Sequence, residues 1–175
     1  QRHVEYWLRQ LTYAPLVLEL VCDRPLPAEP GYRGSWQSIR LPASLNESLQ
    51  ALAKSSGCTL FMLTFSAFAA LLHKYSGEED FVIGTPISGR RHTELEQLIG
   101  FFLNTLALRV KISPATTFTE LLSQVKATAL DAYAHQDLPF EKLVEELQPE
   151  RDMSHTPVFQ HLFIWQESSA WTWAT

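Results

Sequence analysis

The chain has 175 residues, 46% of them hydrophobic, and its 14 Lys and Arg against 19 Asp and Glu give a formal net charge of -5. That length suits one folded unit, since roughly 100–200 residues is usual for a domain, and its scattered cations offer no basic surface for phosphates, which argues against a nucleic-acid partner. Cys22 and Cys58 have no Cys or His at metal-ligand spacing, and the longest apolar stretch, Leu60 to Leu72, is interrupted by Thr64 and Ser66, so neither a disulfide framework, a zinc site nor a membrane helix is indicated.

The chain opens on Gln rather than Met, with no basic segment leading into an apolar core. This suggests an excised or processed piece without a signal peptide, residing in the cytoplasm. Apolar spacing from Val4 to Leu11 predicts a short helix, and the run 23–31, with prolines at 25, 27 and 30, predicts an exposed connector. Ser44-Leu45-Asn46-Glu47 has capping-box spacing and predicts a helix to about Ser56, stopped by Gly57. A second helix should start near Thr59, with Phe61, Phe65, Phe68, Leu72 and Tyr75 three or four apart and buried on most sides. Phe81 to Thr85 reads as a buried strand, followed by the polar loop Ser88-Gly89-Arg90-Arg91. Thr93-Glu94-Leu95-Glu96 is another capping box, closing at Gly100, and Phe101 to Ile112 predicts a long strand. Thr117-Phe118-Thr119-Glu120 opens a helix to about His135 with Leu121, Leu122, Val125, Ala129 and Ala132 inward. Pro139 suits the first turn of a helix burying Phe140, Leu143, Val144 and Leu147, and Phe159 to Trp165 predicts a last strand. Such alternation implies an α/β unit with helices packed on a sheet. The tail 168–175 carries two tryptophans and no pattern.

Several residues could carry chemistry. His135 is an acid–base candidate with Asp137 close in sequence, or else a partner for the carbonyls ending one helix while Asp137 sits near the amides opening the next. Asn104-Thr105 interrupts an apolar strand, and an unpaired amide there would cost on the order of 1–3 kcal/mol. Asn104 is therefore either a bridge between backbone segments or a wall of a substrate channel. Arg151-Asp152 sets a guanidinium beside a carboxylate, to brace a loop or accept an incoming group. Ser88, Gly89 and Arg90 form either a solvated turn or an approach for a phosphate or pantetheine arm. Ser66, Ser88 and Ser154 lack a nucleophile-elbow pattern, and His3, His73, His92 and His161 are isolated surface or packing residues.

Four ordered segments together resemble the condensation domains of nonribosomal peptide synthetases: Asp80 to Arg90, Ile99-Gly100-Phe101-Phe102-Leu103-Asn104-Thr105 through Arg109, His135-Gln136-Asp137-Leu138-Pro139-Phe140-Glu141, and Arg151-Asp152-Met153-Ser154-His155-Thr156-Pro157. Tyr6-Trp7 and Asp23-Arg24-Pro25 match the same family upstream. The resemblance implies a chloramphenicol acetyltransferase-like lobe with a mixed sheet packed with helices. It assigns residues 1–167 to the C-terminal lobe of a condensation domain and leaves 168–175 unassigned. His155 and the Trp-rich tail depart from the family's usual continuation.

In that family the whole domain joins two substrates carried as thioesters, the acceptor amine attacking the donor thioester. Catalysis is associated with a His-His-x-x-x-Asp-Gly motif in the other lobe, and no such segment occurs here. The resemblance therefore places no catalytic residue and no metal in this chain. Asn104, Thr105, His135, Gln136, Asp137, Arg151 and Asp152 become tunnel or lobe-interface supports, and Ser88, Gly89 and Arg90 an approach for pantetheine or substrate. No cofactor is expected to bind directly, since the substrates ride on the phosphopantetheine of donor and acceptor peptidyl carrier proteins. The other expected partners are the N-terminal lobe and an adenylation domain of the same synthetase. A non-catalytic module that binds carrier proteins is the alternative, and an ester-forming or epimerising relative a third. Separated from its partner lobe, the chain is expected to be inactive and to self-associate through exposed apolar surface, which sedimentation at micromolar concentration tests.

Overall fold

A computed structural model describes residues 1–23, 34–90, 94, 98–149 and 156–166. In chain order the elements are α1 (Arg2–Leu11), α2 (Ala43–Ser55), α3 (Leu60–Ser76), β1 (Asp80–Ile87), β2 (Asn104–Lys111), α4 (Phe118–Ala134) and α5 (Phe140–Leu147). The two strands are antiparallel, from Asp80 opposite Lys111 to Ile87 opposite Asn104. Helix α4 packs against β2 and α3, while α5 packs against β2 and α1. Phe65, Phe81, Leu63, Ile83, Leu106 and Leu108 are fully buried at the centre. Among the described residues, no single helix is long and apolar enough to cross a membrane.

Local chemistry explains most boundaries. Thr59 caps α3 by accepting from the Met62 amide at 3.2 Å, and Gly77 ends the helix at φ 77°, a left-handed conformation that costs glycine little. The predicted box at Thr117 forms in full: Thr117 Oγ1 accepts from the Glu120 amide, and the Glu120 carboxylate accepts from the Thr117 amide. The Thr117 amide and hydroxyl, both donating to Oε2, hold the Glu120 carboxyl below its ordinary value. The five inward residues expected on α4 are all buried.

Several expectations need correction. The box at Ser44 does not form, because Pro42, with φ fixed at -59°, starts α2 and accepts from the amides of Leu45 and Asn46. Ser44 therefore lies inside the first turn, and its carbonyl accepts from Ser48 Oγ. Helix α3 is less enclosed than expected: Met62, Phe65, Ala69 and Leu72 are buried, but Leu71 and Tyr75 stand 50% and 69% exposed. Pro139 is the N-cap of α5 rather than part of its first turn, and of the inward residues Leu143 is fully buried while Phe140, Val144 and Leu147 are partly so.

Strand β2 begins at Asn104 because β1 ends opposite it, and Phe101 and Leu103, left without a partner strand, are 86% and 58% exposed. The last predicted strand is reduced to one parallel bridge, Gly84 to Leu162. Apart from that bridge, the sheet among the described residues is the antiparallel pair β1–β2. Of the connector 23–31 only Asp23 is described, of the box at Thr93 only Glu94, and the tail lies outside the described residues.

Tyr13 follows α1 at φ 58° with its side chain 97% exposed. An L side chain there meets left-handed strain without gaining burial, so Tyr13→Gly should stabilise the chain by roughly 0.5–1 kcal/mol. A rise in the denaturation midpoint is the expected reading.

Candidate functional site

The C-terminal end of β1 and the N-terminal end of β2 open onto a cleft of about 370 Å³, whose walls include Gly89, Phe102, Asn104, Gln136, Asp137 and Pro139. Two segments far apart in sequence thus face each other, and one side chain joins them. Asn104 Nδ2 donates to the carbonyls of Gln136 (2.8 Å) and Leu138 (2.9 Å), while its Oδ1 accepts from the amides of Thr105 (2.9 Å) and Phe140 (3.0 Å). An asparagine amide has two donor hydrogens and two acceptor lone pairs, so its whole capacity is spent on backbone. In this arrangement Asn104 shapes the cleft and has no hydrogen bond left for a ligand. It also supplies the cap that Pro139 lacks, because Phe140 is the first residue of α5 and no side chain of the N-cap serves that helix.

His135 sits at the end of α4 with its ring stacked on Tyr6, centroids 3.9 Å apart and planes 7° apart, and edge-on to His3 at 5.3 Å. Its Nδ1 lies 2.8 Å from the Asp131 carbonyl. A carbonyl only accepts, so Nδ1 carries the hydrogen. The His135 carbonyl accepts from Trp7 Nε1 at 2.9 Å. These contacts pin the start of the 135–140 loop to α1. Burial and the nearby Asp131 carboxylate push the Tyr6 phenol up to about 12, opposed by Arg9. Gln136 Nε2 donates to the Tyr133 carbonyl at 2.8 Å, and Asp137 is exposed at the cleft.

Gly89 adopts φ 62°, and a Cβ there would overlap the Phe102 carbonyl, so this turn closes only on glycine. The Arg90 guanidinium lies over the Phe102 ring, 4.4 Å from its centroid. Ser88 is exposed beside them. Arg151 and Asp152 lie outside the described residues. Among the described residues, no group of three or more His, Cys, Asp or Glu is placed to hold a metal ion.

Sequence reasoning missed the other main brace. Arg109 grips Asp80 with two hydrogen bonds, Nε to Oδ1 at 2.8 Å and Nη2 to Oδ2 at 2.6 Å, and donates from Nη1 to the Gln10 carbonyl at 2.9 Å. The carboxylate holds the guanidinium pKa above its ordinary value despite burial. One side chain therefore fastens α1 to the sheet. The available signal was an acidic residue opening one strand and an arginine two residues before the end of the next, which antiparallel pairing brings to a diagonal position. His161, expected to be an isolated surface or packing residue, is half-buried. Burial lowers its pKa, and its Nδ1 finds no partner among the described residues. Its depressed folded pKa means that stability is lost as pH falls from the unfolded value, roughly 6.5, towards the folded one. Denaturation midpoints measured from neutral pH downward should fall less steeply for His161→Gln than for the unsubstituted chain.

An antiparallel strand pair covered by helices, with a cleft at one strand end, is an α/β arrangement, and its likeness to solved condensation domains makes the fold chloramphenicol acetyltransferase-like. A family profile described as "Condensation domain" matches residues 1–171, and the chain belongs to that family. A linear gramicidin synthase of Brevibacillus parabrevis is 50% identical over 161 residues, covering 92% of this chain and 3% of that protein. Phosphinothricin tripeptide synthetase PhsC of Streptomyces viridochromogenes is 49% identical over 162 residues, covering 93% and 15%. A crystal structure of a holo four-domain nonribosomal peptide synthetase bound to AMP and glycine superposes with a TM-score of 0.92 at 34% identity, covering 95% of this chain and 13% of that one. The X-domain from teicoplanin biosynthesis gives 0.81 at 32% identity, covering 92% and 36%. The chain thus spans a small part of each of these proteins.

Proposed function

We propose that this chain is the C-terminal lobe of a condensation domain and that the whole domain forms a peptide bond between two carrier-bound thioesters. The observation that carries the reading is the condensation-family match over nearly the whole chain, with close relatives that are peptide synthetases. In the reaction the acceptor's free amine attacks the donor thioester carbonyl, a C–N bond forms, the C–S bond breaks, and the amine's proton goes to the departing thiolate. No His-His-x-x-x-Asp-Gly segment occurs in this chain, so the lobe's part is to build one wall of the tunnel. Asn104, Thr105, His135, Gln136 and Asp137 frame that wall, Arg151 and Asp152 complete its support, and Ser88, Gly89 and Arg90 border the approach of a pantetheine arm. The lobe binds no cofactor directly. Its partners are donor and acceptor carrier proteins, the N-terminal lobe and an adenylation domain of a cytoplasmic synthetase.

A second reading is a non-catalytic module that docks proteins. It draws on the likeness, at a TM-score of 0.83 and 31% identity, to the X-domain solved in complex with OxyB. The test uses the intact synthetase with its two carriers loaded, one with a donor and one with an acceptor amino acid. Dipeptide on the acceptor carrier, detected by mass spectrometry, is the expected result. Retained carrier binding without dipeptide would overturn peptide-bond formation and favour the docking module.

A further inference from the structure

Gly84 is buried in the middle of β1, and a Cβ there would overlap the ring of Phe159. The missing side chain is the socket in which that ring sits. The backbone beside it is tied at both atoms: the Gly84 amide donates to the His161 carbonyl at 2.9 Å, and its carbonyl accepts from the Phe163 amide at 2.8 Å. On the other side, the Phe159 amide donates to the Pro157 carbonyl at 3.0 Å, closing a γ-turn around Val158. Val158 has φ 74° and is 1% exposed, a strained conformation for a β-branched residue, held by burial. Gln160 completes the fastening, donating from Nε2 to the Leu16 carbonyl and accepting at Oε1 from the Leu18 amide, both at 2.8 Å. Phe159 is therefore aimed by anchors before and after it.

Phe140 also lies beside the ring, 5.3 Å away between centroids. Phe140 is the first residue of α5, and its amide is one of the four groups held by Asn104. The geometry points to Phe159 as a positioning residue: seated in the Gly84 socket, it fixes the first turn of α5 and, through Phe140, the Asn104 clamp that shapes the cleft. Phe159 does not itself line that cleft. For its catalytic consequence the assignment rests on the proposed peptide-bond-forming role; for its structural consequence it stands alone.

The test uses the intact synthetase and two substitutions that touch neither Asn104 nor the cleft. Phe159→Leu keeps apolar bulk but lacks a ring to reach Phe140, and Gly84→Ala leaves Phe159 unchanged but fills its socket. Both should raise amide hydrogen exchange in peptides spanning 136–147 by about tenfold without a comparable change in α4, since local opening is read by exchange. Dipeptide formation should fall by about tenfold while the carrier concentration at half-maximal rate stays constant, a loss confined to turnover. If Phe159 acts through Asn104, Phe159→Leu combined with Asn104→Ala should be no slower than Asn104→Ala alone. Multiplying losses, or unchanged exchange at 136–147, would overturn the assignment. If the unsubstituted synthetase made no dipeptide, the proposed function would fall, and exchange at 136–147 would still decide the positioning role.

Discussion

Replacing Asn104 with alanine is expected to destabilise the chain by roughly 2–4 kcal/mol, because four hydrogen bonds at about 1 kcal/mol each are lost, partly compensated by water. Asn104 is only partly buried, so water can reach some of the stranded groups, the Gln136 and Leu138 carbonyls and the Phe140 amide among them. Urea denaturation should show a lower midpoint with little change in slope. Asn104→Asp sharpens the test. The introduced carboxylate can still accept from the Thr105 and Phe140 amides, but it faces two carbonyls at 2.8 and 2.9 Å that need a donor. The two carbonyls favour the protonated form, which can donate once, whereas the two amides, that of Phe140 at the start of α5, favour the carboxylate, so the stability at neutral pH is the deciding measurement. An Asn104→Asp variant as stable as the parent at neutral pH would refute the donor roles of Nδ2.

Arg109→Lys should cost roughly 1.5–3 kcal/mol, although it keeps the charge, because an ammonium cannot reproduce the planar fork. The fork meets both oxygens of Asp80 while also reaching the Gln10 carbonyl at the end of α1. The side chains of Arg109 and Asp80 are 13% and 28% exposed, so solvent screens this pair less than a surface bridge. Arg109→Met would leave Asp80 partly buried without its cation and should cost at least as much. A double-mutant cycle with Asp80→Asn measures the coupling; a value near zero would mean that the α1 carbonyls, rather than the ion pair, dominate. Hydrogen exchange should rise first in the last turn of α1, the end that Arg109 holds.

The two braces explain how a small sheet supports a defined cleft. Asn104 and Arg109 lie on the same strand, five positions apart by residue number, and fasten different helices to it: Asn104 holds the start of α5 and Arg109 the end of α1. His135, stacked on Tyr6 of α1 and followed by the loop that Asn104 holds, closes the circuit. Loosening any one contact therefore reaches the cleft through backbone, not through a side chain that meets a ligand.

Helix α4 and strand β1 were legible in the sequence because their signals are local. The Thr117 box needs only a spacing of three residues, and the apolar run from Phe81 needs only a sheet to enter. The α2 start was misread because Pro42 competed with Ser44 for the same cap, and the extent of β2 was misread because a strand ends where its partner ends. The site was legible as a set of motifs and a family resemblance, which placed Asn104 and the His135 loop in one region. Which atoms they exchange was decided only by folding, because Asn104 and Phe140 meet through the crossing of β2 and α5. The same is true of Arg109 with Gln10 and of Phe159 with Gly84. Local propensity and hydrophobic period can be read from neighbours in sequence; a hydrogen bond or a ring in a socket depends on where distant backbone arrives, and the packed sheet and helices determine that.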